Sequence, residues 1–234
     1  GAVFDTGTSG AGLMENCIFT ENAGGAGGAV HLSSNDSQAE LTNLTFAGND
    51  ASIAGAHLYL AEATVSFVNN IAWSGQDGGG LFAADGPSGS GTDFFYNDVG
   101  NNSGGDYGGS LSDPTGASGN ISADPMFRDF SIDEDEDNDN LYLTVWSPCV
   151  DEGDPSIVDV DGTRSDIGAY GGPGADADDG DLDGHYDITD CNDDDAGIYP
   201  DAIEFAYDGV DQDCDGEDLI LSLIHISEPT RQLA

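Results

Sequence analysis

Basic residues are almost absent from this chain. It has no lysine, and three arginines (Arg128, Arg164 and Arg231) stand against 46 aspartates and glutamates. The formal net charge of −43 at pH 7 repels the phosphates of nucleic acids and the headgroups of anionic lipids, and it attracts cations. The composition therefore excludes a nucleic-acid-binding protein.

Long apolar runs, histidine and methionine are also scarce. The sequence contains no run of 18 apolar residues, so it offers no candidate transmembrane helix. Only four histidines and two methionines occur, which argues against a copper or zinc site. The sequence starts at Gly1 without a methionine, and we expect its true N-terminus to be missing. The lack of a signal peptide therefore says nothing about export.

The last stretch differs in composition from the rest. Residues 221–231 read LSLIHISEPTR, an apolar and nearly neutral run that directly follows the most acidic part of the chain. The run resembles the translation of a DNA-sequencing adapter, with a genuine C-terminal strand or sorting tail as the alternative. We expect residues 221–234 to be an artefact and exclude them from the predictions below.

The acids that are present are unevenly distributed. Aspartate outnumbers glutamate 36 to 10, and residues 176–218 contain 18 acids and no base. Clustering of aspartate in glycine-punctuated loops favours oxygen ligands for a hard cation, whereas a salty habitat would spread both acids over the whole surface. Four cysteines and 35 glycines suit an extracellular chain.

A 27-residue repeat organises the first half of the chain. The triplet GAV at residues 1–3 returns as GAV at 28–30 and as GAH at 55–57. Two further columns share this step, namely Asn16, Asn43, Asn70 and Asn97, and Phe19, Phe46 and Trp73. Short alternating stretches such as VHLS and TVSFV lie between glycines and asparagines, which predicts short strands.

Stacked coils would provide such strands with hydrogen-bonding partners. A short strand cannot bury its apolar face alone, but pairing with its counterpart in the next coil, about 4.8 Å away, satisfies both edges. We therefore predict an inward stack of Phe19, Phe46 and Trp73 and an asparagine ladder at a turn. The fourth coil departs from the pattern, because Gly100 stands at the aromatic position.

The units FTENAGGAGGAV and FAGNDASIAGAHLY, with this period, resemble the right-handed parallel β-helix repeats of secreted, pectate-lyase-like bacterial proteins. They are also similar to the repeats of polymorphic outer-membrane proteins. The stretches SPCVDEGDP and DGTRSDIGAYGG occur in the order that often closes such β-helices. The resemblance implies an all-β fold, with a right-handed parallel β-helix over 1–172 that includes a closing segment at 124–172. Within it, we expect Arg164 to anchor ion pairs with Asp159, Asp161 and Asp166.

The β-helix carries weak signals for catalysis. A polysaccharide lyase uses Arg or Lys as its base, and residues 1–127 contain neither. A hydrolase needs only paired carboxylates, but no pair stands out among the loop aspartates. His31 and His57, 26 residues apart, fit strand positions facing solvent or a neighbouring coil better than a catalytic pair. The sequence favours a protein that is not an enzyme, and a polysaccharide-active hydrolase or lyase stays the alternative.

A second region, 179–218, follows a linker at 173–178. It opens with a D-x-D-x-D-G loop whose spacing matches the ligand positions of EF-hand-type calcium loops. Alternate side chains point at the ion, the glycine permits a sharp turn, and the seventh residue supplies its backbone carbonyl. The predicted ligands of this loop are Asp179, Asp181, Asp183, His185, Asp187 and Asp190.

The same pattern recurs at Asp211, Asp213, Asp215 and Gly216. Positions nine and twelve of this second loop would be Leu219 and Ser222, so we expect the loop to be truncated. The stretch DCNDDDAGIYPDAIEFAYDGVDQDCDG resembles the metal-binding motif of MopE-like bacterial surface proteins and is similar to thrombospondin type 3 calcium repeats. This resemblance implies a Cys191–Cys214 disulfide that encloses a small core, formed by Ile198, Tyr199, Ile203 and Phe205.

These patterns predict a calcium-binding structural or adhesion protein at the bacterial cell surface or outside the cell. A β-helix shaft would precede a module that folds only with Ca²⁺, at the ~10⁻⁴–10⁻³ M typical of extracellular sites. Its partners, besides calcium, would be a cell-surface polysaccharide or protein. A disordered acidic linker is the alternative to the module, but such a linker does not repeat glycine at position six or interleave cysteines.

Overall fold

The computed structural model describes residues 12–33, 38–84, 91–133, 139–175, 185, 190–192, 195–200, 202–216 and 218–219. The chain divides into two compact units, residues 1–176 and 177–234. The described ranges contain β-strands and turns but no helix, and accordingly none that could cross a membrane. The all-β prediction is confirmed.

The described residues of the first unit form fourteen short strands. In chain order they are β1 (Leu13–Thr20), β2 (Ala23–Ala26), β3 (Val30–Ser33), β4 (Gln38–Ala47), β5 (Asp50–Ala54), β6 (Leu58–Ala61), β7 (Thr64–Val68), β8 (Ile71–Trp73), β9 (Leu81–Ala83), β10 (Asp93–Phe95), β11 (Asp98–Gly100), β12 (Tyr107–Gly109), β13 (Phe127–Asp129) and β14 (Asn140–Leu143).

The first twelve strands form a parallel β-solenoid, as the repeat predicts. Strands β3, β6, β9 and β12 pair side by side in one parallel sheet, and β2 pairs with β5 in another. On the remaining face β1 pairs with β4, β4 pairs with both β7 and β8, and these pair in turn with β10 and β11. Each coil thus supplies the hydrogen-bonding partners that a lone short strand would lack. The hairpin β13–β14 is antiparallel.

The aromatic prediction is correct for one pair and wrong for the third member. Phe19 lies opposite Phe46, 27 residues later, and their rings stack with centroids 5.0 Å apart. The next step on this face is 26 residues, so Phe46 lies opposite Ala72 and Trp73 lies opposite Ala47. Trp73 therefore leaves the column, because one residue fewer separates the second and third coils at this point.

The interior column instead continues through aromatic residues that the repeat did not mark. Phe46 and Phe67 are fully buried, and their ring centroids lie 6.2 Å apart. Phe67 meets Phe94 edge-on at 5.7 Å, and Phe94 meets Tyr107 in the same way at 5.6 Å. Leucine, valine and alanine side chains complete one continuous core around these rings. A satellite cluster contains Ile71, Leu143, Cys149 and Ile167, with Trp73 packed against it.

The predicted asparagine ladder is divided between two columns. Asn70 and Asn97 are buried rungs: the side-chain Oδ1 of Asn97 accepts from the backbone N–H of Asn70 at 2.8 Å, and its Nδ2 donates to the carbonyl of Phe67 at 2.8 Å. Asn120 repeats this arrangement one coil later, where its Oδ1 accepts from the N–H of Asn97 at 3.1 Å. Asn43, by contrast, adopts a left-handed φ of 51° in a separate column. The 26-residue step separates the two sets.

The left-handed column supports residues 149–172, which we call the lateral segment. The amide Nδ2 of Asn16 donates to the carbonyl of Ala169 at 2.8 Å, and that of Asn43 donates to the carbonyl of Asp166 at 3.1 Å. In the third coil, Asn69 accepts from the N–H of Asp154 at 2.7 Å. The segment therefore runs along the turns of successive coils.

Arg164 is a structural anchor, but its partners are not the predicted ones. The guanidinium lies 3.3 Å from the carboxylate of Glu152 and donates through Nε to the carbonyl of Gly153 at 2.6 Å. It also lies over the ring of Tyr96, 5.5 Å from its centroid. The carboxylates of its sequence neighbours Asp159 and Asp166 accept hydrogen bonds from backbone N–H groups instead.

Candidate metal centre

A disulfide ties together the second unit. Cys191 and Cys214 are bonded, with their Cα atoms 5.8 Å apart and a separation of 23 positions in sequence. The predicted pairing is confirmed. Cys214 is itself part of the second aspartate loop, so the covalent bond holds that loop against the residues around Asp190.

The predicted core of this unit is wrong for two of its four residues, while Ile198 and Tyr199 are half-buried. Ile203 is 79% exposed and Phe205 is 65% exposed. The most enclosed residues among those described here are Asp190, Ala202 and Gln212. Gln212 acts as a polar centre, because its carbonyl accepts from the N–H of Tyr199 at 2.9 Å and its side-chain Oε1 accepts from the N–H of Phe205 at 3.1 Å.

The second aspartate loop is wound around the Asp211 side chain. Its Oδ2 accepts from the N–H of Gly216 at 2.8 Å, and its Oδ1 accepts from the N–H of Asp215 at 3.2 Å. Cys214 and Gly216 have left-handed φ values of 58° and 93°, which bring the chain back toward Asp211. The glycine at position six of the motif permits this turn at little steric cost.

Glu204 enters this loop from upstream. Its Oε1 accepts from the N–H groups of Gln212 and of Asp213, the latter at 3.1 Å, and its Oε2 accepts from the N–H of Leu219 at 2.9 Å. The carboxylate therefore bonds to the loop backbone at both ends. Ile203 and Phe205 on either side of it face solvent, whereas Glu204 faces the loop.

Three carboxylates converge at this point. Oxygens of Glu204, Asp211 and Asp213 lie within 4.8 Å of one another, and all three residues are half-buried. Partial desolvation, together with the charges of Asp215, Glu204 and Asp211, raises the pKa of the Asp213 carboxyl. An oxygen-only cluster of like charges of this kind fits a hard cation, whose charge offsets the repulsion.

The structure brings together some of the predicted ligands and not others. Asp211 and Asp213 share the cluster with Glu204, while Asp215 contributes its backbone N–H to the loop and is not a member of the converging group. Leu219, at position nine, donates its N–H to Glu204. Sequence spacing missed Glu204, and the signal for it was one acid placed between two apolar residues, Ile203 and Phe205.

Most of the first loop cannot be compared with its prediction. Asp179, Asp181, Asp183 and Asp187 lie outside the described residues, as does Ser222 of the second loop. The ring of His185 stacks on that of Tyr199, with centroids 4.6 Å apart. Asp190 is buried beside the disulfide, and its Oδ1 accepts from the N–H of Asn192 at 2.8 Å.

His31 and His57 lie in different surroundings. The ring of His31 packs on Tyr59, with centroids 4.9 Å apart. His57 is fully buried, its Nδ1 lies 3.1 Å from Asn49 Nδ2, and its Nε2 lies 2.8 Å from Asn102 Oδ1. Burial lowers the pKa of His57 to about 4, which the Asn102 hydrogen bond opposes. A neutral ring that accepts from Asn49 and donates to Asn102 satisfies all of these contacts.

Acids and aromatics line separate cavities in the solenoid unit. One cavity of about 390 Å³ is lined by the carboxylates of Glu21, Asp50 and Asp77, and the described residues around it include no aromatic ring. Another, of about 470 Å³, is lined by Tyr142 and Tyr170, and its described lining includes no acid. These two cavities thus separate the carboxylates from the aromatic rings.

One comparison with known proteins gives a match. The family model Cu-binding_MopE, described as "Putative metal-binding motif", matches residues 190–218. This range includes the converging carboxylates of Glu204, Asp211 and Asp213 as well as both disulfide cysteines. No curated protein and no solved structure matches the chain significantly.

Proposed function

We propose that this chain is an extracellular or cell-surface structural and adhesion protein whose C-terminal unit binds calcium. The convergence of Glu204, Asp211 and Asp213 carries the proposal. These ligands offer only carboxylate oxygens, which Ca²⁺ accepts in flexible geometries and which soft metals disfavour. A magnesium ion demands a near-ideal octahedron, which suits this irregular loop less well.

A bound calcium ion would provide the stabilisation that this unit gains only in small part from apolar packing. The described part buries few large apolar side chains, and its backbone is organised by carboxylates that repel one another. A bound cation would offset that repulsion and at the same time hold the loop to the stretch that contains Glu204. Ion binding and folding of the unit are then one coupled process.

The disulfide supports the extracellular part of the proposal, because such bonds persist in oxidising compartments. The solenoid supports the structural part. Its coils are linked by strand pairing and by buried amide ladders, which suits a stiff support for a binding surface. We propose a cell-surface polysaccharide or protein as the adhesion partner.

A calcium titration of the full chain by calorimetry, with circular dichroism recorded alongside, tests the proposal. Wild type is expected to bind calcium saturably with a gain of structure, and magnesium more weakly. Glu204→Gln and Asp213→Asn are expected to weaken binding, because each removes a charged ligand but keeps the side-chain shape. Asp129→Asn, an exposed residue of β13, removes the same charge elsewhere and is the control. A flat wild-type titration up to about 10 mM, beyond the usual extracellular range, would refute the calcium site.

A further inference from the structure

Three carboxylates are buried where the lateral segment meets the solenoid. Asp166 is 2% exposed, its Oδ1 accepts from the N–H of Asp151 at 2.7 Å, and its Oδ2 is buried without a hydrogen-bond partner. Asp159 is 5% exposed and accepts from the N–H groups of Asp166 and Gly172. Asp166 thus has one oxygen that is neither solvated nor bonded, an arrangement that is costly for an ionised carboxylate.

The third carboxylate belongs to the solenoid. Asp98 in β11 is fully buried, and its Oδ1 accepts from the N–H of Ala123 at 2.9 Å. Its Oδ2 accepts from the thiol of Cys149, which begins the lateral segment, at a sulfur-to-oxygen distance of 3.3 Å. A thiol is a weak donor, so this contact compensates little of the desolvation of Asp98.

The charged neighbours of these carboxylates are acids. The charges of Asp159, Asp151 and Asp161 raise the pKa of Asp166. Those of Asp124 and Asp106 raise the pKa of Asp98. The one arginine of the lateral segment, Arg164, is engaged with Glu152, the carbonyl of Gly153 and the ring of Tyr96. The asparagines that face the segment from the coils, Asn16, Asn43 and Asn69, are uncharged.

We propose that protons on Asp166 and Asp98 fasten the lateral segment to the solenoid, so that the segment is held tightly in mildly acidic medium and loosens in neutral to alkaline medium. Burial, reinforced by the neighbouring acids, raises the pKa of Asp166 to about 7 and that of Asp98 to about 6. The same causes raise the pKa of Asp159. The geometry accounts for these directions, since no described cation compensates the buried charges.

The sign of the effect follows from the proton balance. With the segment docked, Asp166 keeps its proton up to about pH 7, whereas with the segment detached its carboxyl is hydrated and ionises near pH 4. The docked form therefore holds more protons over the interval between these values, and raising the pH favours detachment. One coupled proton changes the opening equilibrium about tenfold per pH unit in that interval.

Hydrogen–deuterium exchange of the full chain tests the proposal. Protection factors are measured for peptides that cover residues 149–172, between pH 5 and 8, at constant calcium and after correction for intrinsic exchange rates. In wild type they are expected to fall about tenfold per pH unit between pH 6 and 7, and more steeply below pH 6, where the Asp98 proton is coupled as well. Asp166→Asn retains an oxygen for the Asp151 N–H but has no proton to lose, so its profile is expected to be flat between pH 6 and 7.

Two further variants make the outcome unambiguous. Asp129→Asn removes the same charge at an exposed position outside the segment and is expected to keep the wild-type slope. Asp98→Asn is expected to flatten the lower part of the profile, near pH 6, and it decides the question if Asp166→Asn does not fold. Protection that is independent of pH in wild type, or an unchanged slope in both buried-site variants, would overturn the proposal.

Discussion

The two units of this chain satisfy the hydrogen-bonding groups of their backbones in different ways. The solenoid repeats one coil, so that each strand pairs with its counterpart and the fully buried rings of Phe46 and Phe67 pack in a continuous core. The described part of the second unit has few buried apolar side chains and places Ile203 and Phe205 in solvent. Carboxylates accept its backbone N–H groups, and a disulfide links Cys191 to Cys214.

This difference shows that acidic residues have two different structural roles within one molecule. Among the described residues of the solenoid unit the buried acids are Asp98, Asp159 and Asp166, and they belong to the lateral segment or to the coil against which it packs. In the second unit acidic side chains organise the backbone, because Glu204 and Asp211 together accept five backbone N–H groups around one loop. The first unit should therefore depend on apolar packing, and the second on covalent and ionic links.

Truncating the core of the solenoid is expected to have the largest effect. Phe46→Ala removes a fully buried ring that stacks on Phe19 and Phe67, and it should lower the free energy of unfolding by about 3–5 kcal/mol. Urea denaturation followed by circular dichroism measures the loss. Phe95→Ala, at a ring that is 41% exposed, is the control and should cost much less. Equal losses for the two variants would contradict a core centred on the aromatic column.

Removing the disulfide is expected to affect only the second unit. The double variant Cys191→Ser and Cys214→Ser opens a 23-residue link and should destabilise that unit by about 3 kcal/mol. Its calcium affinity should fall in parallel, because the Asp211 loop would no longer be held in place. Calorimetric titration and hydrogen exchange of the second unit measure both effects. A matching loss of protection in β4 or β7 would show that the units are not independent in this respect.

Removing one rung of the buried amide ladder is expected to have an intermediate effect. Asn97→Ala leaves the buried N–H of Asn70 and the carbonyl of Phe67 without their side-chain partners, at a cost of about 1–3 kcal/mol. Urea denaturation gives the value. Asn101→Ala, whose amide bonds only the Ser74 hydroxyl in the contacts described, is the matched control and should cost less. Similar values for the two would argue that the ladder does not stabilise the coils.

The smallest effect is expected at the exposed ring of the second unit. Phe205→Ser changes a side chain that is 65% exposed, so the stability of the calcium-loaded unit should change by no more than about 0.5 kcal/mol. Thermal unfolding at saturating calcium measures it, with Glu204→Gln as the comparison that should destabilise the unit. A loss of several kcal/mol for Phe205→Ser would restore the apolar core that the sequence resemblance implied.

Local periodicity predicted the solenoid well, because strand pairing repeats the same contacts at the same step. Phe19 and Phe46 stack as the 27-residue spacing requires. Trp73 does not follow, because one shorter coil moves it by one position, and period counting alone cannot locate such a change. Gly100 then lies opposite Trp73, where an added Cβ would approach the indole ring to 2.5 Å.

The candidate site was less accessible to sequence reasoning. Spacing within one loop identified Asp211 and Asp213, but Glu204 joins them only through the fold, from seven residues upstream. The location of the lateral segment was also not predictable, since the carbonyl groups that Asn16 and Asn43 bind lie more than 120 residues away in sequence. Contacts of this kind leave no periodic trace.

The adjacent pair Asn69–Asn70 has a consequence for how such chains change length. Asn69 continues the left-handed column and Asn70 contributes to the buried ladder, within one turn whose flanking strands β7 and β8 both pair with β4 at a 26-residue step. A doubled asparagine therefore lets a single turn contribute to both columns. Deletions or duplications of whole coils that begin and end at this turn should be tolerated in evolution and in engineering, while the same cuts inside β4 would not.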